Sequence, residues 1–237
     1  MKEQLKNMII ASTSTIHGSS YLEYILPTLK AFFENTDEVV FIPYARPGGI
    51  SHDDYTEIAK KGFERIGKQV VGVHTFENPV EALKNAKAVF TGGGNTFLLV
   101  SQLYKFEIMP VLRQRIFEGL HYFGTSAGAN ITGLTMQTTN DMPIIYPPSF
   151  KTLGAVPFNI NPHYLDPVSG SKHMGETRET RINEFHKINT QPVIGLREGS
   201  WLEVRGDRIL LQGEHTARIF EQNKPAYEIE SGSEVRF

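Results

Sequence analysis

Short, continuous apolar runs separated by helical patterns fill the first half of the chain, and no other feature narrows the fold so far. The runs are Met8-Ile9-Ile10-Ala11, Val39-Val40-Phe41-Ile42, Val70-Val71-Gly72-Val73, Ala88-Val89-Phe90 and Tyr122-Phe123. A strand with one face in water alternates apolar with polar residues, whereas an unbroken apolar run suits a strand covered on both faces. Between the runs, Tyr21, Tyr24, Ile25, Leu29 and Phe32-Phe33 recur at helical spacing. Tyr55, Ile58, Phe63 and Ile66 do the same after Ser51-His52-Asp53-Asp54, which has the makeup of a helix cap. This β-α-β-α order predicts an α/β fold with a mainly parallel sheet and helices on both faces. Ligands of such sheets bind at the carboxyl ends of strands. The glycine-bearing loops after Phe90 and Phe123 are therefore the first places to look for a site.

The second half reads differently. Pro143, Pro147, Pro148, Pro157, Pro162 and Pro167 break any long element between positions 140 and 170. A helix is expected from about Glu176 to His186, then the strand-like pieces Val193-Ile194-Gly195-Leu196, Trp201-Leu202-Glu203-Val204 and Arg208-Ile209-Leu210-Leu211, with Gly206-Asp207 as a hairpin turn. No repeat or linker interrupts the 237 residues, so one α/β domain over 1–237 is expected, its C-terminal part an irregular or antiparallel extension of the sheet. With 40% hydrophobic residues, 21% charged residues and a net charge of −2, neither disorder nor nucleic-acid binding is expected. The absence of cysteine excludes disulfides, thiolate metal sites and Cys–His nucleophiles. No apolar run approaches membrane-spanning length, and Met1–Asn7 leads into only a short one, so a soluble cytoplasmic protein is expected.

Gly124-Thr125-Ser126-Ala127-Gly128 directly follows the apolar run at Tyr122-Phe123 and precedes a segment able to start a helix. A G-x-S-x-G pentapeptide in that context can form a sharp strand-to-helix turn that exposes the serine to a base and to backbone N–H donors. The bland alternative is an ordinary glycine–serine turn. If the turn is a nucleophile elbow, Ala127 supplies one oxyanion donor, and Gly92-Gly93-Gly94-Asn95 after the neighbouring run is the obvious source of the other. That loop could instead hold phosphate or simply turn the chain. Among the eight histidines, His121 precedes the elbow on its strand and His186 reads as a helix-surface position. His163, after Pro162 in Asn159-Ile160-Asn161-Pro162-His163, is better placed, because the proline stiffens the loop that carries it. Asp141 and Glu198 are both credible orienting acids; chain order cannot choose between them, though an acid buried in a short loop at a strand end favours Glu198.

Taken together, Gly92-Gly93-Gly94-Asn95-Thr96-Phe97, Thr125-Ser126-Ala127-Gly128-Ala129-Asn130, Thr138-Thr139-Asn140-Asp141-Met142-Pro143, Asn159-Ile160-Asn161-Pro162-His163 and Gly175-Glu176-Thr177-Arg178-Glu179 resemble the peptidase E family of α-aspartyl dipeptidases. The resemblance runs from Phe41-Ile42-Pro43 through Gly195-Leu196-Arg197-Glu198-Gly199-Ser200-Trp201. It implies a fold similar to class I glutamine amidotransferases, with the elbow after a central strand, and hydrolysis of small Asp-Xaa peptides by a serine nucleophile with no metal or organic cofactor. Carried over by position, Ser126 is the nucleophile, His163 the base, and Gly94 and Ala127 the oxyanion donors. Glu198 orients His163 while Asp141 shapes the site by holding the substrate's α-amino group, or the two acids exchange these roles. Asn95 and Arg178 are candidate substrate-binding residues, Arg178 for the aspartyl carboxylate; Arg178 could equally pair with Glu176 or Glu179 on a helix surface. The run Asp166-Pro167-Val168-Ser169-Gly170-Ser171-Lys172 departs from the family pattern. A cyanophycinase-like hydrolase of β-linked aspartyl peptides and a non-catalytic amidotransferase-like binding module are the rival readings. Monomer and homodimer both remain open.

Overall fold

The computed structural model describes residues 6–167 and 175–237. The apolar runs are the strands: β1 (Asn7–Ala11), β2 (Glu38–Ile42), β3 (Gln69–Gly72), β4 (Ala88–Thr91) and β5 (His121–Thr125) pair in parallel in the order β3-β2-β4-β5-β1. Side chains of a strand point alternately to its two faces, so a strand buried on both must be apolar throughout. Met8, Ile10, Val40, Ile42, Val89 and Tyr122 enter one apolar cluster, while Ile9, Val39, Phe41, Ala88, Phe90 and Phe123 enter another.

Helices close both faces. α1 (Leu26–Phe32) and α2 (His52–Glu64) pack on the second cluster, and α3 (Pro79–Asn85), α4 (Thr96–Lys105) and α5 (Ile108–Phe117) on the first. The cap expected at Ser51 is a reciprocal box: Ser51 Oγ accepts from the Asp54 N–H, and the Asp54 carboxylate accepts from the Ser51 N–H.

After β5 come the short helix α6 (Ala127–Asn130), an irregular proline-bearing stretch, β6 (Asn159–Pro162), α7 (Arg178–Phe185) and β7 (Val193–Leu196). The hairpin of β8 (Ser200–Arg205) and β9 (Arg208–Gly213) then lies antiparallel on β1, giving the seven-stranded order β3-β2-β4-β5-β1-β8-β9 with β5 at its centre. The rest of the C-terminal part is not an extension of this sheet. β10 (Ala217–Phe220) and β11 (Tyr227–Ile229) join the earlier strands in a separate four-stranded sheet, β11-β10-β7-β6. Ile160, Ile194, Leu196, Ala217 and Ile219 share the apolar cluster of Met8 and Ile10, so the two sheets have a common core.

Two local expectations are corrected. Pro162 lies at the end of a strand rather than in a loop, and the buried asparagines that disguise β6 bond to the preceding segment: Asn159 Oδ1 accepts from the Thr135 N–H, and Asn161 Nδ2 donates to the Thr138 carbonyl, while Asn161 Oδ1 has no partner among the described residues. His186 is not a helix-surface residue; it is buried at the end of α7 with Nε2 hydrogen-bonded to the Gln191 carbonyl. Positions 168–174, which include His173 and most of the segment that departs from the family pattern, lie outside the described residues.

Candidate active site

β5 ends in a turn that glycine makes possible. A Cβ on Gly124 would lie 2.3 Å from the Gly128 carbonyl oxygen, and one on Gly128 would lie 2.2 Å from the carbonyl oxygen of Thr91 at the end of β4. Any side chain at either position would prise the start of α6 away from the sheet. Between them Ser126 has φ 54° and ψ −110°, a conformation that L-residues rarely adopt and that surrounding structure must hold. The restraint is visible: the Ser126 N–H donates to the Ala11 carbonyl, and the Ser126 carbonyl accepts from the N–H groups of Ala129 and Asn130.

His163 follows β6 with φ 53°. Its N–H donates to Ser12 Oγ at 2.8 Å, and Ser12 Oγ donates to the Leu196 carbonyl at 2.7 Å, so one hydroxyl just beyond β1 ties the ends of β6 and β7 together. The imidazole Nε2 lies 2.9 Å from Ser126 Oγ, and Nδ1 lies 2.6 Å from Glu198 Oε1. Glu198 sits in the turn between β7 and β8, beside Gly199 at φ 85°. The His163 and Glu198 side chains are 35% and 46% exposed, so Glu198 is at a strand end but is not the buried acid expected. With a carboxylate accepting from Nδ1–H, Nε2 is left as the acceptor for the serine hydroxyl. The arrangement can remove a proton from Ser126 and hold the resulting imidazolium against a negative charge.

Asp141 is elsewhere. Its Oδ2 accepts from the Thr96 N–H at 2.7 Å and from Thr139 Oγ at 3.0 Å, at the start of α4, where the helix dipole favours a carboxylate. The Asn95 side chain is engaged within the fold: Oδ1 caps α4 through the Leu98 N–H, and Nδ2 donates to the Met142 carbonyl. The glycine loop before it runs against the elbow, since a Cβ on Gly93 would lie 2.9 Å from Ser126 Cβ. Gly94, at φ 141°, passes so close to Ala45 that a Cβ would lie 2.2 Å from its carbonyl oxygen. Ala127 is the first residue of α6.

Arg178 is the first residue of α7. Burial, followed by the nearby Arg181, lowers its pKa, and the Asp141 carboxylate works in the opposite direction. Glu176 pairs with Arg181 at 3.6 Å and Glu179 with Arg218 at 3.1 Å, so both acids that could have tied Arg178 to the helix surface are engaged by other arginines.

Ser12 and Arg197 also support the site, each through partners distant in the sequence. Arg197 donates through Nε and Nη2 to Asp166 at 2.8 and 2.7 Å, and through Nη1 to the Thr216 carbonyl and to Glu228, both at 2.8 Å. It thereby ties the segment after His163 to the turn that carries Glu198. Only an arginine beside Glu198 hinted at this, because both acidic partners lie 31 residues away. Among the described residues, no group of three or more His, Cys, Asp or Glu side chains is placed to hold a metal ion, and no helix is long and apolar enough to cross a membrane.

Comparison with known proteins places the chain in a family. The model of peptidase family S51 matches residues 8–212. Peptidase E of Streptomyces coelicolor is 48% identical over 229 residues, covering 97% of this chain and 93% of that protein. A probable alpha-aspartyl dipeptidase of Drosophila melanogaster is 41% identical over 235 residues, covering 98% and 97%. Among solved structures, a putative peptidase E protein from Listeria monocytogenes superposes with a TM-score of 0.67 at 22% identity, over 89% of this chain and all of that one. A peptidase from an acI-B1 actinobacterium superposes with a TM-score of 0.74 at 16% identity, over 99% and 98%; these two likenesses bear on the fold alone. The chain belongs to peptidase family S51.

Proposed function

We propose that this protein is a serine-type dipeptidase that releases N-terminal aspartate from Asp-Xaa peptides through an acyl-enzyme. The observation that carries the reading is His163, hydrogen-bonded through one ring nitrogen to Ser126 and through the other to Glu198. In the first step His163 Nε2 takes the hydroxyl proton of Ser126 as Oγ attacks the carbonyl of the aspartyl residue, and Glu198 stabilises the imidazolium. The Ala127 and Gly94 N–H groups receive the oxyanion. His163 then gives its proton to the leaving amine, the C–N bond breaks, and Ser126 carries the aspartyl group as an ester. Water deprotonated by His163 attacks that ester, and free aspartate leaves as the proton returns to Ser126.

The substrate's own charges match two groups of opposite sign, Arg178 and Asp141, and the Asp141 carboxylate favours the charged form of Arg178. Arg178 receives the β-carboxylate, since a planar guanidinium can bind a carboxylate through two N–H donors. Asp141 receives the α-ammonium. A peptide without the aspartyl carboxylate would leave Arg178 desolvated and unpaired, which is the source of selectivity. We read the protein as cytoplasmic, acting on small peptides as a monomer or homodimer.

Incubation with α-Asp-Leu and with its β-linked isomer tests the assignment. The reading predicts leucine release from the α-linked peptide, abolished in Ser126→Ala. Cleavage of the β-linked isomer alone would favour a cyanophycinase-like hydrolase instead.

A further inference from the structure

α2 carries a buried tyrosine that the mechanism above does not use. Tyr55 is 1% exposed, its ring stands edge-on to Phe41 at 5.0 Å between centroids, and the Arg46 guanidinium lies 4.9 Å from its centre on the ring face. The ring is therefore held by packing. Its hydroxyl donates to the Gly93 carbonyl at 3.0 Å. Space for the hydroxyl comes from Gly92, where a Cβ would lie 2.5 Å from Tyr55 Oη.

The neighbouring backbone shows why this bond matters. The Gly92 N–H donates to the Ile42 carbonyl and the Asn95 N–H to the Ala45 carbonyl, which pins both ends of the loop but not its middle. The middle peptide, Gly93–Gly94, is flanked by residues without side chains, so its plane is less restricted than one between substituted residues. It is also trans, so its carbonyl and its N–H point in opposite directions. A partner that holds the Gly93 carbonyl on the α2 side aims the Gly94 N–H away from α2.

We propose that Tyr55 is a positioning residue for the oxyanion hole: its hydroxyl fixes the Gly93–Gly94 peptide so that the Gly94 N–H faces the oxygen of the carbonyl under attack by Ser126. This rests on the serine-peptidase reading above. The competing account is that a buried hydroxyl needs some acceptor and Gly93 merely provides one. The two accounts differ in what they predict for the transition state. A preorganised donor matters where negative charge develops and little where substrate or product merely binds.

Tyr55→Phe deletes the hydroxyl and keeps the ring with its contacts to Phe41 and Arg46. The expected result is a fall in kcat on α-Asp-Leu of about tenfold to a hundredfold, below the loss on deleting such a donor outright because the N–H remains. Affinity for the α-amino aldehyde analogue of aspartate, which forms a hemiacetal with Ser126, should fall by a similar factor. KM, inhibition by free aspartate and the pH profile of kcat should stay within about twofold, because Arg178, Asp141 and the His163–Glu198 pair are untouched. Unchanged kcat and unchanged aldehyde affinity would overturn the proposal. So would parallel losses of aldehyde and aspartate affinity together with a lowered Tm, the mark of a purely structural hydroxyl. The Gly94 amide resonance of nitrogen-15-labelled protein reads the peptide's orientation without reference to activity. It should move in Tyr55→Phe, and an unmoved resonance would also overturn the proposal, whereas a moved one in an enzyme that cleaves no aspartyl peptide would sink only the functional reading.

Discussion

Replacing Glu198 by glutamine isolates one charge at the site. In the wild type Glu198 Oε1 lies 2.6 Å from His163 Nδ1, the length of a charge-assisted bond. Hydrogen bonds to charged groups contribute about 1.5–3 kcal/mol, but these side chains are 35% and 46% exposed, and water screens an open pair. The lower part of that range applies. The neutral amide can still accept from Nδ1–H, so the variant loses the stabilisation of the imidazolium rather than the whole interaction. A loss of about 1.4–2 kcal/mol in the transition state corresponds to about a tenfold to thirtyfold fall in kcat. KM should change little, since Glu198 is not among the groups assigned to substrate. Initial rates of leucine release from α-Asp-Leu, read beside the Tm of each variant, measure the effect, with His163→Ala as the larger reference loss. A Glu198→Gln enzyme with wild-type kcat, or one less impaired than Asp141→Asn, would refute the reasoning and return the orienting role to Asp141.

Asp141→Asn keeps an oxygen for the Thr96 N–H but removes the charge assigned to the α-ammonium, so KM should rise about tenfold while kcat holds; kinetics on α-Asp-Leu check it. Arg178→Gln should raise KM for Asp-Xaa by about a hundredfold or more and narrow the preference over Ala-Xaa, seen by competition between the two peptides. Gly128→Ala forces a Cβ to 2.2 Å from the Thr91 carbonyl oxygen; about 1–3 kcal/mol of stability and nearly all activity should be lost, read by Tm and rate. Burial raises the Glu228 pKa, but hydrogen bonds from Arg197, Thr216 and Arg218 outweigh it and hold the pKa at about 2, below the ordinary 4.5. A depressed carboxylate stabilises the fold above its unfolded pKa, and this contribution is lost as pH falls from about 4.5 toward about 2. Discounted for the group's exposure, the contribution is about 1 kcal/mol. Acid denaturation should therefore be shallower in Glu228→Gln than in the wild type across that window.

Features carried by neighbouring residues were legible in the sequence, and those carried by distant ones were not. The parallel strands declared themselves because burial on both faces leaves no position for a polar residue, as in Val39-Val40-Phe41-Ile42. The turn at Ser126 declared itself because only glycine tolerates the approach of α6 to the strand ends. β6 was hidden by Asn159 and Asn161, whose amides hydrogen-bond to a segment more than twenty residues earlier in the chain. Ser12 was invisible for the same reason: its partners, His163 and Leu196, lie 151 and 184 residues away. Asp141 and Glu198 each sit near chemistry-bearing neighbours in the sequence, and only the packing of β7 against β6 brings one of them to the imidazole. Tyr55 was legible as an apolar helix position, but nothing local pointed to the Gly93 carbonyl that its hydroxyl reaches.

On the proposed mechanism Ser126 carries the aspartyl group during turnover. Rapid acid quenching of the enzyme during hydrolysis of an activated aspartyl ester, followed by proteolysis and mass spectrometry, traps that acyl-enzyme and locates it. An added aspartyl acyl group is expected on the peptide containing Ser126, present in the wild type and missing in Ser126→Ala. Turnover of the activated ester by Ser126→Ala at the wild-type rate, or an acyl group on any other residue, would contradict the mechanism.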